Sequence, residues 1–154
     1  MKGVSMPMAR PANFDHAVQV ATRWVHDVAQ AFPTEDSEFA FRALRAWLHT
    51  LRDRLTVEAA AHFGAQLPEL LRGTYYEGWN PSDVPKRYDS QAYIARFAQD
   101  AGISRPDVPK TAAAVTSGLQ QHLSAGQLDK ALDQLPNELR ALLHPPQPTR
   151  GPSK

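Results

Sequence analysis

The sequence predicts an all-α protein of about eight helices in two pseudo-repeated helical units, with disordered, Pro-rich termini. Three observations carry that reading. Apolar residues recur with helical period between the prolines, and no alternating run of strand type interrupts them. The 154 residues are 42% hydrophobic and 21% charged, an ordinary balance for one globular domain of this length. A stretch of the second half also repeats the first at an offset of 68 residues.

The elements follow from their end signals. The first helix is expected from Asn13, an N-cap residue type, to before Pro33, with Phe14, Val18, Ala21, Val25, Val28 and Phe32 as its apolar stripe. The second is expected over about 36–55, with Ala40, Leu44, Trp47, Leu48, Leu51 and Leu55 inside one core-facing arc. Thr56 caps a third helix carrying Ala60, Phe63 and Leu67, and Pro68 suits the first turn of a short fourth helix ending at Arg72. A loop over 73–88, rich in Gly, Pro and Asp, separates the two units. The fifth helix begins near Ser90 and stops at Gly102, and the sixth is opened by Pro109. Ser124 with Gln127 forms a capping box for the seventh, and Pro136 opens the last, ending near Leu143. The expected organisation is a flexible N-terminus over 1–12, one helical domain over 13–144 (units at about 13–72 and 89–144), and a disordered tail over 145–154.

Composition excludes several function classes. Seventeen Lys and Arg against sixteen Asp and Glu leave a net charge of +1, too even for a general nucleic-acid coat, so nucleic acid is not an expected partner. The chain has no cysteine, which removes thiol catalysis, disulfides and Cys-based zinc sites. No secretory signal and no membrane-spanning apolar run is seen, so a soluble cytoplasmic protein without membrane contact is expected.

The repeat sets Leu55–Arg72 on Leu123–Arg140 without a gap, with six identities: Leu55, Gln66, Leu67, Pro68, Leu71 and Arg72. About one would arise by chance at ordinary residue frequencies. The first helix matches the fifth more loosely. The units are not equivalent, because every aromatic residue lies between Phe14 and Phe97. A specialised surface is therefore expected in the first unit and the loop after it.

The run FRALRAWLHTLRDRLTVEAAAHFGAQLPELLRGTYYEGWNP, beginning at Phe41, resembles the bacterial family catalogued as domain of unknown function 2267. The features that carry the resemblance are the turn Gln66-Leu67-Pro68 after a helix pair, and then Tyr75, Tyr76, Glu77, Gly78 and Trp79. It spans about Phe14 to Leu143. It implies an all-helical tandem repeat and brings no established activity, substrate or catalytic residue.

Two surfaces stand out as candidates. Tyr75, Tyr76, Glu77 and Trp79 put three large aromatics and an acid into five residues, the material of a ligand cleft or a partner hot spot, or else of a plug between the units. If Glu77 is buried it needs a donor, and Arg72 is the nearest in sequence. On the second helix Arg42, Arg45, His49 and Arg52 fall within about 80° of arc opposite the apolar stripe, a ridge suited to phosphates or an acidic partner. Glu38 four residues before Arg42 favours an ordinary solvated face.

Glu58 and His62 have metal-ligand spacing on one helical turn. In the sister unit His62, His49 and His122 align with Lys130, Ser117 and Arg54, which points to solvent-facing positions and no metal. No nucleophile elbow, phosphate loop or dinucleotide fingerprint occurs, so neither a catalytic residue nor a cofactor is assigned. The leading expectation is a non-enzymatic helical binding or interaction module, with an unidentified protein or the chain itself as partner. The alternatives are a small-molecule-binding or hydrolytic enzyme with a cleft under the aromatic loop, Glu77 serving as an acid or base of raised pKa, and weak phosphate or nucleic-acid binding through Arg42, Arg45 and Arg52.

Overall fold

The computed structural model describes residues 10–34 and 36–144. The Pro-rich ends expected to be disordered therefore lie outside the described residues, apart from 10–12. Eight α-helices follow in order: α1 (Ala12–Ala29), α2 (Ser37–Arg54), α3 (Val57–Gly64), α4 (Glu69–Tyr76), α5 (Ser90–Ala101), α6 (Val108–Leu119), α7 (Ala125–Leu132) and α8 (Asn137–Leu143). Short 3₁₀ turns at Pro81–Asp83 and Arg105–Asp107 complete the described secondary structure. None of the described helices is long and apolar enough to cross a membrane.

Side-chain caps start four of the helices, at Thr56 and Ser124 as predicted and at Asp36 and Asp89 besides. Asp36 accepts from the backbone of Glu38 and Phe39 to start α2. The Thr56 hydroxyl accepts from Ala59 N, and the Asp89 carboxylate from Ala92 N. Ser124 and Gln127 form the full capping box. Gly102 ends α5 in the left-handed region at φ 71°, where a side chain would strain the backbone. Two expectations need correcting. Pro11, and not Asn13, precedes α1, with no side-chain cap. The helix opened by Pro68 runs on through Gly73 to Tyr76, four residues past Arg72, because side chains of α2 capture the carbonyls at its end, as described below.

The axis of the fold is α2, against which α1, α4, α5 and α6 all pack. A helix in that position is enclosed on every side, and each residue from Ala46 to Asp53 is buried, polar ones included. Trp47, fully buried, donates from Nε1 to the Thr116 hydroxyl of α6 at 3.0 Å. Thr50 and Tyr93 of α5 join hydroxyls at 3.0 Å. Around these, Leu44, Leu48, Leu51, Phe63, Phe97, Val115 and Leu119 form one continuous core.

The offset of 68 residues carries α3 onto α7 bound for bound, and the first residue of α4 onto the first of α8. The two helices α3 and α7 also pack on one another. The shared arginine turns back toward the preceding helix in each pair, with different partners. Arg72 donates to the carbonyls of Gly64 and Leu67, at the end of the preceding helix, and Arg140 pairs at 2.9 Å with Asp133, just after α7. The correspondence weakens outside these pairs, since α1 has 18 residues and α5 has 12.

Candidate interaction surface

The aromatic segment and the basic ridge, two separate candidates in the sequence, meet in the structure. The end of α4 lies on α2, and α2 supplies donors to the carbonyls that a helix terminus leaves free. His49 Nε2 lies 2.7 Å from the Thr74 carbonyl, which can only accept, so this nitrogen carries the proton. Arg52 donates from Nη1 to the carbonyls of Tyr75 and Glu77 at 2.8 and 2.7 Å, and its Nε pairs with Asp53 at 2.8 Å. Arg45 binds the Glu77 carboxylate at 2.9 Å on the surface.

This geometry corrects the ridge. Arg52 is 2% exposed and His49 is also buried, so neither belongs to a solvated face. Helical periodicity places them opposite the apolar stripe, but the face opposite is covered by α4 and the segment after it. The inference from the sister unit fails for a related reason. His122 is not solvent-facing either, since it stacks on Trp24 and pairs with Asp27 at 2.6 Å. His62, by contrast, is exposed. Of the ridge, Arg42 and Arg45 remain near solvent, and Arg42 reaches the Ala101 carbonyl at the end of α5 at 3.4 Å.

Burial holds His49 below its ordinary pKa of 6.5, against the opposing effect of its bond to Thr74 O. With the folded-state pKa below the unfolded one, the unfolded chain binds the extra proton between the two values. Stability should therefore be complete above about pH 6.5 and fall as pH drops below it. Urea unfolding from pH 8 to 5 checks this, and His49→Gln should flatten that part of the profile.

The aromatic residues mostly fill space. Tyr75 is fully buried, with its hydroxyl donating to Ala60 O at 2.8 Å. Its ring contacts Phe63 and Tyr76, and Tyr76 in turn contacts Trp79, half-buried at 5.2 Å between centroids. The stack lies against Gly64, where an added Cβ would come within 2.5 Å of the Tyr76 hydroxyl. Glu77 is not a buried acid. It is exposed, its donor is Arg45 rather than Arg72, and that hydrogen bond holds its carboxyl below the usual range. A raised-pKa acid or base at Glu77 is thereby overturned.

One surface escaped the sequence analysis. Between α1, the start of α2 and α4 runs a groove of about 900 Å³. Ala21, Val25 and Ala29 form one wall, and Phe41, Leu70 and Leu71 the other. Phe41 is 36% exposed and Leu70 48%. On α1, Phe14 and Val18 share the face of Ala21 and Val25, so they prolong the first wall, at 60% and 49% exposure. The periodicity had already put Phe14 and Val18 on the apolar stripe; what it lacked was the length of α1 that the rest of the protein leaves uncovered. A smaller crevice of about 400 Å³ between α3 and α7 is rimmed by Glu58, His62 and Lys130. No group of three or more potential ligands for a metal occurs among the described residues.

Comparison with curated proteins gives no match. A family profile described as "Uncharacterized conserved protein (DUF2267)" matches residues 21–142, which takes in the buried arginine, the aromatic stack and both walls of the groove, though not Phe14 and Val18. With most of its length matched and the expected helices in place, the chain belongs to the DUF2267 family.

Proposed function

We propose that the protein is a non-enzymatic interaction module that receives an amphipathic helix in the groove between α1 and α4. The observation that carries this is the grouping of exposed large apolar side chains. Phe41 and Leu70 line the groove and Phe14 and Val18 extend it, so the patch is continuous and not a scatter of single residues. A groove between helices with small residues along one wall suits a helix that presents aliphatic side chains three and four residues apart.

The candidate aromatic residues take a lesser part in this reading. Tyr76 and Glu77, with Leu70 and Thr74, line a shallow depression on the outer side of α4 that shares those last two residues with the groove. Tyr76 and Glu77 would act as rim contacts, with Leu70 as the anchor, while Trp79 lines neither hollow. Phosphate or nucleic-acid binding is disfavoured, because Arg52 is enclosed and Arg45 already holds Glu77.

A fluorescently labelled synthetic helix with leucine at heptad core positions tests the proposal by anisotropy. Leu70→Glu should weaken its binding at least about tenfold, or 1.4 kcal/mol. Val57→Glu, an exposed apolar site on α3, should leave it unchanged. Equal affinity of the wild type and Leu70→Glu, or equal binding of a scrambled peptide, would remove the proposal.

A further inference from the structure

The groove reading can be taken one step further: we infer that the helix it receives is α1 of a second copy of this chain, packed antiparallel in a two-fold dimer. The inference rests on the groove being a docking surface and names its occupant.

Phe14, Val18, Ala21 and Val25 are spaced four, three and four residues apart, the spacing of a coiled-coil seam. The large, exposed members stand at the N-terminal end of α1. The small member, Ala21, and the half-buried Val25 lie within the groove, beside Phe41 and Leu70. One helix thus carries both a protruding half and a receiving half. An antiparallel two-fold axis crossing α1 between Gln19 and Val20 brings the halves together. Phe14 then meets the partner copy's receiving turn at Val25, and Val18 meets that at Ala21. Each contact occurs twice, as an isologous interface requires.

Charge agrees with the same register. Arg10, largely exposed and paired with Asp15 on its own helix at 3.1 Å, comes opposite the turn of Ala29, where Glu38 lines the groove and has no ion pair among the described residues. A parallel pair would set Phe14 on Phe14 and leave the groove empty. The antiparallel arrangement fills the groove and sets Arg10 toward Glu38.

Sedimentation equilibrium of the full chain is the first measurement, from roughly 1 to 500 µM, since a modest interface of this kind associates weakly. The mass should rise from 17.1 kDa to twice that value. Phe14→Glu, at an exposed site, should remain at the single-chain mass with unchanged circular dichroism. The absence of cysteine allows a test of register. Under mild oxidation a mixture of Phe14→Cys and Val25→Cys chains should cross-link between unlike chains. Phe14→Cys alone should not, because its two copies would stand about 16 Å apart along the axis at 1.5 Å per residue.

A wild type that stays monomeric throughout overturns the dimer. If that monomer binds the labelled helix, the groove reading survives with another occupant, and if it does not, both fall. A dimer unaffected by Phe14→Glu, or efficient cross-linking of Phe14→Cys with itself, also overturns the proposed arrangement. So does a monomer that dimerises only after removal of residues 1–9, which would give the groove to the chain's own N-terminal segment.

Discussion

Replacing Arg52 with methionine should destabilise the protein by about 3–5 kcal/mol, the range seen when one partner of a buried ion pair is removed. The size follows from what is left behind. Asp53 keeps only Arg96, 3.7 Å away and partly in water, while the carbonyls of Tyr75 and Glu77 lose their donor within the fold. For a chain of this length the corresponding fall in Tm is roughly 6–20 °C. Arg52→Lys should recover little, since one ammonium cannot reach a carboxylate and two carbonyls in the directions that the guanidinium spans. Arg52→Met with Asp53→Leu should recover more than Arg52→Met alone, because the stranded charge is gone. Urea denaturation of the four proteins measures all of this. A loss below about 1 kcal/mol for Arg52→Met, typical of an exposed pair, would mean that the guanidinium is hydrated and that α4 ends without it.

Gly118→Ala should also destabilise, by about 1–3 kcal/mol, although alanine is the better helix former by roughly 0.5–1 kcal/mol. At this position in α6 an added Cβ would stand 2.7 Å from Val28 Cα and 2.9 Å from Val28 Cγ2 of α1. The Cγ2 can be removed, but the Cα belongs to the backbone of the facing helix, so α1 and α6 must separate. Val28→Ala should therefore fail to rescue the variant. Gly126→Ala in α7, where nothing lies within 4 Å of the new Cβ, should have the opposite sign and stabilise by roughly 0.5–1 kcal/mol. Urea midpoints of the two alanine variants decide the matter. Stabilisation by Gly118→Ala would show that the two helices can part without loss.

These two positions mark where the sequence stops being sufficient. Gly118 reads locally as a weak point in a helix, and only the facing backbone of Val28 gives it a purpose. Arg52 reads as one tooth of a solvated ridge, since its neighbours at helical spacing are Arg45 and His49. The aromatic segment reads as a loop because Gly73 follows Arg72 and Pro81 lies just ahead. In the fold its first two tyrosines complete the last turn of α4, held by donors that stand 23 to 25 residues earlier in the chain. The groove was half legible. Phe14 and Val18 stand on the apolar stripe of α1, but nothing in the segments of Leu70 and Phe41 says that α1 and α4 leave a space between them.

The sequence by itself determined the all-helical class, the number of helices and most of their ends. It did so because caps at Thr56 and Ser124, stops such as Gly102, and the periodicity between prolines act within a few residues. It also determined the matching registers of the α3–α4 and α7–α8 pairs. Only the tertiary structure decided which polar side chains are enclosed and which apolar ones are left in water. Burial is set by the elements that pack over a residue, and over α2 those elements come from α1, α4, α5 and α6, which lie both before and after it in the chain.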